Sequence, residues 1–344
     1  MTETNTLAQA RAAHQAGQLR DAEAGYRAVL TAKPDHSEAL KLLSGLYRDQ
    51  GRHEEAAMSL FNLGLAHFGA GHYAEAVTVL AEAVEMKPDW AVAYYNLGVA
   101  RQKAGDLSGA LESFARTVAL DPNLSQAYAN LAVIEDERGQ TEAAVEDYRV
   151  AIKINPADAW TAYRFGILLL RQIRRKRLRE EVDQADIDEV VQVLTRAAAL
   201  DDSISGKVYS IGLDLIAKGE LAIGWALFEA RFFDDTRPGA GGRSGAVRRY
   251  PEPPVYWNDQ DIRGKTVLVR REGGVGDQVL FGAMLTGLVD RGASVVLDSR
   301  PRLERIFKRS FPQINVISRD DRTGKFPIEI ETDYQVALGS LGRY

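Results

Sequence analysis

Apolar and small residues recur along the first two thirds of the chain in a helical rhythm that restarts every 34 positions. Tyr94-x2-Leu97-Gly98, Gly105, Ala110-x3-Phe114 and Pro122 return as Tyr128-x2-Leu131-Ala132, Gly139, Ala144-x3-Tyr148 and Pro156. One period earlier stand Leu60-x2-Leu63-Gly64, Gly71, Ala76-x3-Leu80 and Pro88. Hydrophobic positions three and four apart mark one face of a helix, and each glycine or proline marks an end. The pattern predicts pairs of helices: small residues let the two approach, large apolar residues fill between them, glycine turns the chain and proline stops the second helix.

Three matches in phase resemble the tetratricopeptide (TPR) pattern, a helix–turn–helix unit of about 34 residues. The flanking units are less regular. Ala22-x3-Tyr26 and Pro34 end a first repeat, but Pro34 and Pro88 stand more than one period apart and less than two. That leaves room for one shortened unit near 37–56, in which one helix serves two repeats. A sixth unit starts at Ala159 with Phe165-Gly166 and is interrupted before Leu194, Ala197 and Asp202; a seventh runs through Val208, Ile211-Gly212, Gly219 and Gly224-x3-Phe228. Units of this kind bury their faces only against neighbours, so 1–233 is expected to form a curved solenoid with a concave groove.

Asn62, Asn96 and Asn130 occupy the same place in three successive repeats, on the first helix of each. A ladder of amides, each both donor and acceptor, would hold a polypeptide backbone whatever its side chains. It resembles the asparagine ladder of the superhelical O-GlcNAc transferases, which binds substrate proteins. Asparagine also caps or bridges helices within a fold, and both readings stay open. Arg164 and Ser210 take the place in later units, so the ladder has three rungs.

After 234–258, a Gly-, Pro- and Arg-rich stretch read as a linker, the rhythm changes. Lys265 to Arg270 reads as a buried strand, Glu272 to Asp277 (EGGVGD) as a glycine-rich turn and Gln278 to Arg291 as a helix. Ala293 to Asp298 is a second strand, Arg302 to Phe311 a second helix, Ile314 to Ser318 a third strand and Tyr334 to Leu338 a fourth. Such alternation predicts an α/β Rossmann-like domain over 259–344, with a parallel sheet. EGGVGD lies where phosphates bind in such sheets. The third glycine of a dinucleotide fingerprint is missing, and a carboxylate at the helix start would repel a pyrophosphate, although Asp298 ends the second strand where a ribose-binding acid would stand.

From about Gly219 onward the chain resembles bacterial TPR-linked glycosyltransferases related to heptosyltransferases and O-GlcNAc transferases. The likeness runs through GELAIGWALFEARF (219–232), Pro254 to Trp257, IRGKTVLVRREGGVGDQVLF (262–281), RGASVVLDSRPRLERIF (291–307) and DYQVALGSL (333–341). That family reads E-Q-G-L-G-D, followed by Q-F-x-R-Y. Here Gly273 and Val275 replace the Gln and Leu, and the Arg-Tyr is absent, whereas Glu272, Gly274, Gly276 and Asp277 remain. The resemblance implies the N-terminal half of a GT-B fold, an acceptor protein in the TPR groove, and a nucleotide-sugar donor for the complete enzyme with no other cofactor. It makes Asp277 the general base that would take a proton from an acceptor hydroxyl; the plainer role is a helix cap. Glu272 would orient the loop, and Arg270 and Arg271 would meet phosphate or a charged sugar, or face solvent. A GT-B enzyme needs a second domain of about 150 to 200 residues. The chain as given ends at Tyr344, so it is expected to be unable to transfer sugar by itself. Two functions therefore stand: the targeting and acceptor side of a protein glycosyltransferase, and a non-catalytic TPR scaffold.

Composition narrows the rest. There is no cysteine, which excludes disulfides, Cys-ligated metals and a thiol nucleophile. The five histidines are His14, His36, His53, His67 and His72, so a carboxylate is the base available beyond the early repeats. Residues 1–236 hold 25 Lys+Arg and 35 Asp+Glu, a net of −10; residues 237–344 hold 18 and 13, a net of +5. The run Arg171 to Arg179 has six basic residues in nine, but the acidic stretch after it predicts charges that neutralise each other, not a nucleic-acid face. The polar N-terminus carries no signal pattern, and no apolar stretch approaches the roughly 18 to 20 residues that span a bilayer. The expectation is a cytoplasmic protein, with no nucleic-acid, membrane or metal function indicated.

Overall fold

Helices stop where the sequence places its turn glycines. Gly51, Gly71, Gly105 and Gly139 all adopt φ between 72° and 86°, the left-handed region that side chains resist. The structure, a computed structural model, describes residues 3–177, 182–228, 255–257, 259–271, 275–318 and 331–343. The chain divides into two compact units, Met1–Ala157 and Asp158–Tyr344.

The first unit is a row of antiparallel helices: α1 (Glu3–Gln15), α2 (Leu19–Ala32), α3 (Ser37–Asp49), α4 (His53–Gly69), α5 (Tyr73–Met86), α6 (Ala91–Lys103), α7 (Leu107–Leu120), α8 (Ser125–Glu137) and α9 (Thr141–Ile154). Each packs on its neighbours in sequence. The small-to-large pairing is physical: a Cβ on Gly64 would lie 2.5 Å from Leu80, and one on Gly98 would lie 2.7 Å from Phe114. Helix α4 packs on both α3 and α5. Its Ala56 joins the core of Leu43, Leu46 and Tyr47, while Gly64, two turns on, receives Leu80. One helix serving two repeats accounts for the shortened spacing.

In the second unit, α10 (Ala159–Arg177) pairs with α11 (Gln184–Leu200), and α12 (Asp202–Ala217) with α13 (Leu221–Phe228). A Cβ on Gly166 would lie 2.4 Å from Leu194, so the interrupted sixth unit keeps the small-to-large pairing across its insertion. Helices α12 and α13 meet backbone to backbone: a Cβ on Gly212 would lie 2.7 Å from the Phe228 nitrogen and 2.9 Å from the Gly224 oxygen. Alanine normally gains about 1 kcal/mol over glycine inside a helix. We expect Gly206→Ala, on open surface of the same helix, to stabilise, and Gly212→Ala to destabilise by about 1–3 kcal/mol through overpacking. Thermal melts of the two variants check this; equal shifts would sink the close-approach reading.

Among the described residues five parallel strands follow: β1 (Val255–Tyr256), β2 (Thr266–Arg270), β3 (Ser294–Asp298), β4 (Asn315–Ile317) and β5 (Tyr334–Ala337), in the order β1-β5-β2-β3-β4. Val267 aligns with Val295 on one side and Tyr334 on the other. Val267, Val269, Val295, Leu297 and Val336 form one buried face with Leu303 and Phe307, and Leu268, Val296 and Ile317 cluster separately. Near-continuous apolar strands are what a sheet covered on both faces requires. Of the stretch read as a linker, only 255–257 lie among the described residues, and Val255–Tyr256 is a strand.

The helix expected over Gln278 to Arg291 is two, α14 (Val275–Gly282) and α15 (Leu285–Asp290). Gly282 is a weak helix former, and the Phe307 ring would meet its Cβ at 2.6 Å, so the chain bends there to pass α16 (Pro301–Ser310). A 3-10 turn, Leu338–Arg343, ends the described chain. Trp225 and Phe228 of α13 contact the Phe281 ring of α14 at 5.7 and 5.9 Å, which joins α13 to the sheet portion.

Candidate functional site

Three first helices of the repeats, α4, α6 and α8, carry matching stripes four and then three residues apart. They are Met58-Asn62-Leu65, Val92-Asn96-Val99 and Gln126-Asn130-Val133. Met58 is 55% exposed and Val92 49%, large for apolar side chains in a core-forming array. No charged residue occurs at these nine positions. The amides themselves differ. Asn62 is exposed and has no side-chain hydrogen bond among the described residues. Asn96 Nδ2 donates to the Val92 carbonyl at 2.7 Å, within its own helix. Asn130 Nδ2 lies 3.4 Å from the Tyr95 hydroxyl on α6, and burial pushes that phenol's pKa up. The third rung thus bridges neighbouring repeats while leaving its carbonyl oxygen as an acceptor.

Acid and base are also arranged within the array. Arg52 donates to Glu23 at 2.8 Å and to Glu55 at 2.9 Å with its guanidinium 4.2 Å above the Tyr47 ring, and the Arg52 hydrogen bond holds Glu23 below the ordinary carboxylate range. Between α8 and α9, Glu135 and Asp147 share a hydrogen bond, and desolvation with Glu135 beside it pushes the Asp147 carboxyl up to about 7. In the preceding repeat the equivalent positions hold Arg101 and Ser113, hydrogen-bonded at 2.9 Å.

The described part of the basic run closes α10, and three of its cations are paired with acids. Arg174 lies 3.8 Å from both Asp214 and Glu220, Arg177 3.2 Å from Glu220, and Lys176 2.6 Å from Asp186. Only Asp186 belongs to the acidic stretch just after the run; the other partners come from α12 and the turn beyond it.

At the carboxyl ends of the strands, Arg271 and Asp298 are both buried and 3.5 Å apart. Arg271 also donates to the Ser299 carbonyl at 3.4 Å, and Arg270 Nε to Gln335 Oε1 at 3.2 Å. Arg271 therefore does not face solvent, and Asp298 is held by an arginine. Glu272, Gly273 and Gly274 lie outside the described residues. Gly276 and Asp277 fall in the first turn of α14; the helix begins at Val275, so Asp277 is inside it and not just before it. The position of the Asp277 side chain is likewise outside what is described. Sequence reasoning missed Gln278, which is 1% exposed and accepts from the Arg300 backbone N–H at 3.3 Å, tying α14 to the end of β3. Its partner stands far along the chain, and no local signal marks it. Among the described residues no group of three or more His, Cys, Asp or Glu is placed to hold a metal, and no helix is long and apolar enough to cross a membrane.

The family model described as "Tetratricopeptide repeat" matches residues 7–63, 61–125 and 95–159. Residues 7–159 are tetratricopeptide repeats. The chain is similar in sequence to Protein FlbA of Caulobacter vibrioides, 32% identical over an alignment of 139 residues that covers 37% of this chain and 22% of that protein. The chain thus spans about a fifth of the length of the curated relative it matches. Among solved structures, a crystal structure of MamA is 25% identical, covering 43% of this chain and 94% of that one, with a TM-score of 0.29. YrrB, described as a TPR protein with an unusual peptide-binding site, is 17% identical over 55% of this chain and 84% of its own, with a TM-score of 0.34.

Proposed function

We propose that this protein is a scaffold whose TPR array binds another protein, and that the stripes on α4, α6 and α8 hold an extended segment of it. The observation that carries this is the threefold recurrence of an uncharged stripe, exposed at its leading positions Met58, Val92 and Gln126, with an asparagine at its centre. A repeating amide face suits a repeating backbone, because backbone carbonyls and N–H groups recur whatever the side chains. Arrays of this kind bind through the surface that successive units extend. The matches to the tetratricopeptide model and to FlbA lie with this reading.

Selection of binding peptides from a random displayed library, followed by titration, tests it. Asn62→Ala, Asn96→Ala and Asn130→Ala combined are expected to weaken selected peptides at least tenfold, since amide hydrogen bonds contribute about 0.5–1.5 kcal/mol each. Unchanged affinity with an unchanged melt would overturn the ladder.

A second reading is the acceptor side of a glycosyltransferase. What supports it is the EGGVGD motif, which follows β2 in sequence and ends inside α14, with Asp277 in that helix's first turn at the carboxyl edge of a parallel sheet, where ligands bind in Rossmann-like folds. Fold-level likeness alone does not assign chemistry, and the comparisons lend the transfer reaction no support. The scaffold is the better-supported function.

A further inference from the structure

Outside the repeats, α16 carries a second surface of a different kind. Its sequence, PRLERIFKRS, buries Leu303 and Phe307, the latter against Gly282 of α14. Those two anchors fix the helix and turn another face outward. Arg302, Arg305, Ile306 and Arg309 stand three, four and seven positions apart on that outer face, and all four are exposed, Ile306 by 53%. The other charges of the helix lie elsewhere and are satisfied: Lys308 donates to Glu304 at 2.5 Å, and Ser318 to Glu304 at 2.8 Å. Among the described residues no ion pair involves Arg302, Arg305 or Arg309. Three arginines thus line one exposed isoleucine along about 10 Å of helix, at about 1.5 Å of rise per residue.

We infer that this face of α16 is a docking surface for an acidic polypeptide segment, one presenting carboxylates at helical spacing around an apolar side chain. This goes beyond the TPR groove, whose stripes are uncharged. Charge complementarity requires an anionic partner, and the guanidinium fork matches carboxylates two oxygens at a time. The shape of the patch selects protein among polyanions. A nucleic acid calls for a basic face sustained over many phosphates, and an interfacial membrane helix keeps its apolar face for lipid, whereas α16 spends Leu303 and Phe307 on its own core. An exposed apolar side chain flanked by arginines is the composition of protein–protein interfaces, where arginine is enriched and lysine depleted.

The test uses the whole chain and a fluorescein-labelled helical peptide carrying glutamates three and four residues apart around one leucine. Wild type is expected to bind it in a salt-sensitive manner, weakening as screening increases. Arg302→Glu, Arg305→Glu and Arg309→Glu together should weaken binding at least tenfold, and Ile306→Ala severalfold. The milder set Arg302→Gln, Arg305→Gln and Arg309→Gln should give an intermediate loss. All four side chains are exposed, so melting curves should match wild type; if the reversal variant fails to fold, the glutamine set decides. Failure of wild type to bind, or binding indifferent to these changes, overturns the proposal. So does tighter binding of duplex DNA or phosphatidylglycerol vesicles through the same arginines, which would assign the face to phosphate. None of these outcomes depends on the asparagine stripes, so the two surfaces are judged separately.

Discussion

Replacing Phe114 by alanine is expected to lower the stability of the TPR array by about 3–5 kcal/mol, the usual range for deleting a buried aromatic. Phe114 is fully buried on α7, in a core with Ala110, Leu131 and Ile134 and with Tyr95 at 5.8 Å. Its ring occupies the space left by Gly98, so truncation opens a hole that only a shift of α6 against α7 would close. Protein interiors collapse incompletely around such holes. For a unit of this size, a loss of that order corresponds to a fall in Tm of roughly 8–15 °C. Thermal unfolding followed by circular dichroism measures it. A fall of only about 2 °C or less, the scale of a loss under 1 kcal/mol, would mean that Phe114 does not hold the pair together.

The second large effect depends on pH. A carboxyl held at about 7 in the folded chain and near 3.8 when unfolded binds more protons folded than unfolded between those values. Its contribution is fully present below the unfolded value and is lost as pH rises through about 7. The array should therefore weaken between pH 4 and pH 8, opposite to the behaviour of a salt-bridged carboxylate such as Glu23. A full separation of that size would be worth about 4 kcal/mol. Asp147 is only half enclosed, and solvent screening reduces this to about 2 kcal/mol. Asp147→Asn keeps a donor for Glu135 and removes the titration. It should raise the melting temperature at pH 8 by several degrees, leave that at pH 4 nearly unchanged, and flatten the profile. An identical pH profile in the variant would remove Asp147 as its source.

How much of this was legible in the sequence follows from the range of the interaction involved. The helix pairs at Gly64/Leu80 and Gly98/Phe114 are local: the partners sit on consecutive helices, and the recurrence supplies three readings of one pattern. The strand at Thr266–Arg270 was legible because a buried parallel strand is an unbroken apolar run. The break at Gly282 was not, since it depends on Phe307 of another helix arriving at that point. The burial of Arg271 beside Asp298 depends on two strands lying side by side. For the same reason the partners of Arg174 and Arg177 were hidden, because Glu220 reaches them from a turn two helices further on. The three asparagines hold equal positions in the repeat, yet Asn96 turns onto its own helix and Asn130 onto Tyr95, a difference set by the neighbouring phenol.

Helix α4 has a consequence for how the array comes apart. In a stack of repeats, stability is close to a sum of unit and nearest-neighbour contributions, and such stacks fray from their ends one unit at a time. A helix that completes one pair while opening the next leaves no seam between them. Melting of α1–α3 cannot halt cleanly at the edge of the following repeat, because α4 would lose a partner on one side while still required on the other. The shortened unit therefore acts as a rivet, binding the first two units to the three regular ones as a single cooperative block.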